Sequence, residues 1–146
     1  MVSPELLRRF PYFSGVSHET LRKLAMLAEE RTFAEGETVF REWERADYLY
    51  IVLSGQVEIR FMVAGEPRTV DTVEERELLL WAALVEPYRT TGIGVSTRDT
   101  KVIAFEANQL RRLCAEDARL GYSLMREAVK AIADRLEGTR IQLALV

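Results

Sequence analysis

The middle of the chain, from about residue 31 to residue 105, is a series of short segments in which apolar and polar residues alternate. The clearest of them is Val57–Phe61, which reads VEIRF. Alternation at a period of two places the apolar side chains on one face of a β-strand. The dipeptides Glu35-Gly36 and Ser54-Gly55 separate neighbouring segments and are typical of turns. Many short strands with turns between them predict a small β-sandwich or barrel.

The pairing of these strands can be predicted where a short turn joins two of them. Tyr48–Leu53 and Val57–Phe61 are predicted to form a hairpin across Ser54-Gly55. A second hairpin is expected across Ala64-Gly65, with Thr69–Val73 as its return strand. The segments 91–95 and 101–105 read as two further short strands.

Helical patterns flank the strand-rich centre. Ser3-Pro4 opens a short helix, and a second one follows from Ser17. The last helix is predicted from Asp117 to Leu143, which is long for a globular protein. Its apolar residues recur at spacings of three and four, and a stripe of this length predicts a parallel two-helix seam between two copies of the chain. The stripe comprises Gly121, Leu124, Ala128, Ile132, Leu136, Thr139 and Leu143, widened by Tyr122, Met125, Val129 and Ala133.

Composition narrows the possible functions. The 146 residues suit a single domain over residues 1–146, and a net charge of −3 argues against nucleic-acid binding. One cysteine, Cys114, and one histidine, His18, cannot form an intrachain disulfide, a zinc site or a Cys–His nucleophile. No pair of residues resembles catalytic machinery, so we expect no enzyme, no catalytic residue and no metal. No stretch resembles a signal peptide or a membrane span, so a cytoplasmic location is expected.

Two stretches carry a family resemblance: residues 33–40, reading FAEGETVF, and residues 49–57, reading LYIVLSGQV. They resemble the cyclic nucleotide-binding domain family, in particular the effector domain of bacterial regulators of the cAMP-receptor and fumarate-nitrate-regulator type. The resemblance implies an α+β, mainly β fold: a jelly-roll β-barrel over residues 31–105, with short N-terminal helices over 3–29. C-terminal helices would cover 106–143, the last one mediating dimerisation.

The segment 78–92, LLLWAALVEPYRTTG, resembles the phosphate-binding cassette of that family. In the family, Gly-Glu precedes an apolar turn, and an arginine followed by Ser or Thr holds the phosphate. Here Leu80 replaces the glycine and Trp81 replaces the glutamate that binds the ribose hydroxyl. Two further family glycines are replaced by Trp43 and Arg76. By resemblance, the residues that would contact a ligand are Leu80, Trp81, Ala82, Arg89 and Thr90.

The register of Arg89 has two solutions. Counting forward from Pro87 places Arg89 at the family's arginine position, whereas counting back from Asp99-Thr100 places Thr90 there. On a strand, a shift of one residue turns a side chain to the opposite face. The sequence alone therefore leaves open which side chain faces the interior.

Three functions follow from the resemblance. The first is a regulatory or sensor module whose cAMP binding is weakened or lost, and which answers to another small anionic effector or a protein partner. The second is a working cAMP sensor in which Arg89 and Thr90 hold the phosphate and Trp81 stacks on the ligand. The third is a ligand-free dimerisation adaptor. No resident cofactor is expected, and neither is membrane binding. Because the sequence ends at Val146 without a helix-turn-helix, direct DNA binding is not expected.

Overall fold

The structure is a computed structural model that describes residues 2–145. The helices are α1 (Pro4–Arg8), α2 (His18–Leu27), α3 (Ala107–Glu116) and α4 (Ala118–Ala144), with 3-10 turns at Pro11–Phe13 and Trp81–Ala83. The strands are β1 (Ala28–Phe33), β2 (Thr38–Phe40), β3 (Tyr48–Ser54), β4 (Val57–Val63), β5 (Glu66–Val73), β6 (Leu78–Leu79), β7 (Ile93–Ser96) and β8 (Thr100–Glu106). Within the described residues, no helix has the length and apolarity needed to cross a bilayer.

The strands form two four-stranded antiparallel sheets, in the orders β1-β8-β3-β6 and β2-β7-β4-β5. Large apolar side chains from both sheets and from the N-terminal helices form one buried cluster, and they include Phe13, Leu49, Ile51, Ile59, Ile103 and Phe105. The expected mainly β jelly roll, with short helices before it and a long helix after it, is therefore confirmed. The roll begins three residues earlier than expected, because α2 ends at Leu27 and β1 starts at Ala28.

One predicted hairpin is confirmed and the other is wrong. Strands β4 and β5 pair from Val63 and Glu66 outward across the Ala64-Gly65 turn. Strands β3 and β4 do not pair, because β3 lies between β8 and β6 in the other sheet. The chain crosses between the sheets at Gly55, whose φ is 104°. A Cβ there would lie 2.6 Å from the Thr100 Cα, so glycine is required by both space and conformation.

Helix α4 begins at the N-cap Asp117, whose carboxylate accepts hydrogen bonds from the N–H groups of Arg119 and Leu120. The helix lies along its own roll: Gly138 approaches the Val70 backbone so closely that a Cβ would overlap the Val70 carbonyl oxygen. The predicted stripe divides accordingly. Its members Leu124 and Ala128 are buried against the roll, whereas the outer face is apolar and exposed at Tyr122, Met125, Val129, Ile132, Leu136 and Leu143.

Candidate functional site

The backbone of the cassette keeps a conformation that glycine favours, although glycine is absent. Leu80 follows β6 with φ 72° and ψ 55°, in the left-handed region, and leads into the 3-10 turn that starts at Trp81. Trp43 and Arg76, the other two positions where the resemblance leads us to expect glycine, have φ values of 64° and 74°. A residue with a Cβ in this region costs about 1–2 kcal/mol. Leu80, Trp43 and Arg76 therefore keep a backbone conformation that favours glycine, although each carries a side chain. The Leu80 side chain is buried in the interior.

The Gly-Glu columns are filled by apolar side chains. Leu80 and Ala82 are buried, and Trp81 is half-buried and packs against the core. Neither Leu80 nor Trp81 offers a carboxylate to a ribose hydroxyl. The turn therefore packs against the core. The indole N–H of Trp81 is the one polar side-chain group that Leu80, Trp81 and Ala82 contribute.

At the far end of the cassette, Thr90 faces the interior and Arg89 faces solvent. Thr90 is 1% exposed, and its hydroxyl accepts a hydrogen bond of 3.0 Å from the Glu44 N–H and donates to the Arg41 carbonyl oxygen. Arg89 is exposed and pairs through its backbone with Arg45 at the rim of the roll. The structure therefore follows the register counted back from Asp99-Thr100, because the Thr90 side chain is buried and its hydroxyl bonds to the backbone of the Arg41–Glu44 loop.

Tyr88 connects Pro87 to Arg89 in an uncommon backbone conformation. Its φ is 61°, a left-handed conformation between Pro87 and the rim, and its ring stacks against Arg111 of α3 at 3.9 Å from guanidinium carbon to ring centroid. The Arg111 guanidinium also donates a hydrogen bond of 2.6 Å to the Ala83 carbonyl oxygen. The loop between the 3-10 turn and Arg89 is thus held against α3.

The space between Trp81 and α4 is occupied by a side chain of the protein itself. Arg135 of α4 is 8% exposed, and its guanidinium carbon lies 5.5 Å from the centre of the Trp81 ring. Its Nη1 donates to the Thr91 hydroxyl at 3.3 Å. Burial lowers the pKa of Arg135, and the negative charge of Asp71 on β5 opposes that shift. The buried cation at the cassette is therefore Arg135 of the long helix, whereas the cassette's own Arg89 is exposed.

Sequence reasoning missed Arg135, although a signal was present. Positions 124, 128 and 135 share one face of a helix, and the first two are buried against the roll. Arginine is seldom fully buried, so a cationic side chain on an otherwise apolar, inward helix face points to a special role. The predicted stripe runs from Ala128 through Ile132 and Leu136, so it passes beside position 135.

A cavity of about 280 Å³ lies between α4 and the β5–β6 edge. Charged side chains of both signs line it: Asp71, Glu77, Glu127, Asp134, Arg76 and Lys130. Burial raises the pKa of Asp71, while the charge of Arg135 acts in the opposite direction. Burial likewise raises the pKa of Glu77. Leu78, the first residue of the cassette, also lines this cavity, so the cassette lies near these carboxyl groups as well as near Arg135.

Known proteins share both the sequence pattern and the fold. The family profile described as cyclic nucleotide-binding domain matches residues 30–117. The CRP-like cAMP-activated global transcriptional regulator of Mycobacterium tuberculosis is 26% identical over 141 residues, which cover 96% of this chain and 61% of that protein. The chain therefore spans about three fifths of the length of this curated relative.

Solved structures extend the similarity to nearly the whole chain. A crystal structure of a candidate cyclic nucleotide-binding protein from Geobacter metallireducens has a TM-score of 0.81 and 30% identity, covering 93% of this chain and 99% of that one. The N-terminal domain of a transcriptional regulator from Streptomyces coelicolor has a TM-score of 0.68 and 26% identity, covering 88% and 92%. With the matched profile and the jelly roll, these similarities show that the chain belongs to the cyclic nucleotide-binding domain family.

Proposed function

We propose that this domain is a regulatory sensor module whose affinity for cAMP is weakened or lost. The observation that carries the proposal is the orientation of Arg89. It is the one arginine of the cassette, and it lies exposed at the rim while Thr90 takes the inward position. An arginine directed into solvent cannot clasp a phosphate inside the roll.

Two further features support weak cAMP binding. Trp81 stands where the family has a glutamate, and the loss of one charge-assisted hydrogen bond removes about 1.5–3 kcal/mol, or about ten- to a hundredfold in affinity. Arg135 also lies in the space between Trp81 and α4, so a nucleotide would have to displace it or share that space. Both features act in the same direction as the outward Arg89.

Isothermal titration calorimetry with cAMP and with cGMP tests this proposal. We expect no saturable heat for either nucleotide in the micromolar range. A dissociation constant in that range or tighter, for either nucleotide, would show a working cyclic-nucleotide sensor and overturn the proposal. A thermal-shift screen of small metabolites separates the remaining alternatives, because an effector that binds the folded state raises the melting temperature, whereas a ligand-free adaptor shows no such shift.

The same module is proposed to form a homodimer through α4. The exposed apolar residues recur at spacings of three and four up to Leu136 and then after a further seven, as a heptad seam requires: Tyr122, Met125, Val129, Ile132, Leu136 and Leu143. Leu136, in the middle of the helix, is 61% exposed in the single chain. An apolar stripe of this length on a monomer is typical of an interaction surface, and its parallel pairing with a second copy would bury it.

Light scattering after size exclusion tests the dimer. Leu136→Glu should shift the mass from two chains to one, because a charge would be buried in the seam. Lys130→Glu is the matched control: it adds the same side chain on the same helix, and among the described residues the exposed Lys130 ammonium forms one ion pair, with Glu127 at 3.7 Å. A monomeric parent chain would refute the proposal, and so would a Leu136→Glu variant that stays dimeric.

A further inference from the structure

We infer that Arg135, Thr91 and Trp81 form a binding site for a small oxyanion, that is, a phosphate or carboxylate group of an effector. In this site the cation comes from α4 and not from the cassette arginine Arg89. The inference rests on the proposed function, because it identifies the chemistry of the effector that such a sensor module would bind.

The first argument is a buried positive charge without an ion-pair partner. Arg135 is 92% buried, since 8% of its surface is exposed. Among the described residues, no carboxylate oxygen lies within 4.0 Å of its guanidinium. Asp71 acts on it from a longer distance, and its own carboxylate accepts a hydrogen bond of 2.9 Å from the Thr72 N–H. Buried charges in folded proteins are normally paired, so this guanidinium lacks a counter-ion.

The second argument is a set of hydrogen-bond donors without acceptors. The Arg135 Nε and the Trp81 Nε1 are both buried and have no hydrogen-bond partner among the described residues. Thr91 accepts the 3.3 Å hydrogen bond from Arg135, so its own hydroxyl proton is free to be donated. Leaving a buried donor unsatisfied costs about 1–3 kcal/mol. The Arg135 Nε and Trp81 Nε1 donors therefore each need an acceptor, and the hydroxyl of half-buried Thr91 can donate beside them.

The chemistry of the missing ligand follows from these donors. A guanidinium offers two parallel N–H groups that match the two oxygens of a carboxylate or phosphate. An indole N–H and a hydroxyl add neutral donors at the side. An oxyanion satisfies all of them and neutralises the charge, whereas a neutral ligand leaves the guanidinium unpaired and a cation is repelled. The indole of Trp81 is within reach of the charge, so its fluorescence should respond to occupancy.

A fluorescence titration with inorganic phosphate, and separately with acetate, tests the site at constant ionic strength. The parent for this experiment carries Trp43→Phe, which removes the exposed indole and leaves Trp81 as the one tryptophan. Saturable binding of one anion is expected. Arg135→Gln should weaken it by about ten- to a hundredfold, the value of one charge-assisted hydrogen bond. Arg89→Gln is the matched control and should leave it unchanged.

The outcomes separate the inference from the proposal it rests on. The inference is overturned if neither anion gives a saturable change in Trp81 fluorescence. It is also overturned if Arg89→Gln loses anion binding while Arg135→Gln binds as the parent does. If Arg135→Gln fails to fold, Trp81→Phe, in a calorimetric titration, removes the indole N–H and should weaken binding severalfold. Titration with cAMP in the same assay is independent. Tight cAMP binding that requires Arg135 refutes only the proposed function, whereas anion binding without cAMP binding supports both.

Discussion

Replacing Arg76 by glycine should stabilise the domain, because Arg76 adopts a backbone conformation that glycine adopts without strain. Its φ is 74°, and its side chain is exposed and makes no hydrogen bond to the described residues. The left-handed region costs a residue with a Cβ about 1–2 kcal/mol, and the greater freedom of glycine in the unfolded chain cancels about 0.4–1 kcal/mol of the gain. The expected net increase in the free energy of unfolding is about 1 kcal/mol.

Thermal unfolding followed by circular dichroism measures this change. With about 2.1 cal/mol/K of unfolding entropy per residue, 1 kcal/mol corresponds to a rise in melting temperature of about 3 °C for a chain of this length. Gly36→Ala is the matched control, since Gly36 has φ 87° and a Cβ there would meet nothing within 4 Å. It should lower the melting temperature by a similar amount. A lower melting temperature for Arg76→Gly would refute the assignment of a left-handed residue at position 76.

Three further predictions concern α3 and α4. Burial raises the pKa of the Cys114 thiol to about 11. At pH 8 about 0.1% is thiolate, so Ellman's reagent should react about a hundredfold more slowly than with a free thiol, and a normal rate would contradict this. Asp117→Ala should lose about 1 kcal/mol of N-cap stability while Asp117→Asn keeps most of it. Hydrogen bonds from Thr20 and the backbone lower the pKa of Asp117. The stability contributed by its charge is therefore present above the usual carboxyl pKa of about 4 and lost as pH falls through the lowered value, and Asp117→Asn should abolish this dependence in acid unfolding curves. Gly138→Ala should push α4 away from Val70 and lower hydrogen-exchange protection in the last turns of the helix; unchanged protection would show that the helix is not docked there.

The strands could be predicted from local pattern, but their partners could not. The alternation in Val57–Phe61 predicts β4, and the Ala64-Gly65 turn joins two strands that pair directly. The turn signal at Ser54-Gly55 led to a wrong pairing of β3 with β4, because β3 pairs with β8, which lies some 50 residues later in the chain. A turn signal specifies a reversal of direction and not the sheet that the next strand joins.

The parts of the candidate site that depend on backbone conformation could be predicted from the sequence. The parts that depend on a side chain from another helix or loop could not. The left-handed conformations at Trp43 and Leu80 agree with the family columns that contain glycine. The inward position of Thr90 depends on buried hydrogen bonds to the Arg41–Glu44 loop, which no local pattern reveals. Arg135 reaches the cassette because α4 docks on its own roll, and that docking is a tertiary contact.

The most direct test of the central claim is a calorimetric titration of the parent chain and of Arg89→Ala with cAMP. Arg89 lies at the solvent-exposed rim and Arg135 lies beside Trp81. The two proteins are therefore expected to behave alike, with no saturable binding in the micromolar range. Micromolar or tighter binding by the parent, abolished in Arg89→Ala, would contradict it.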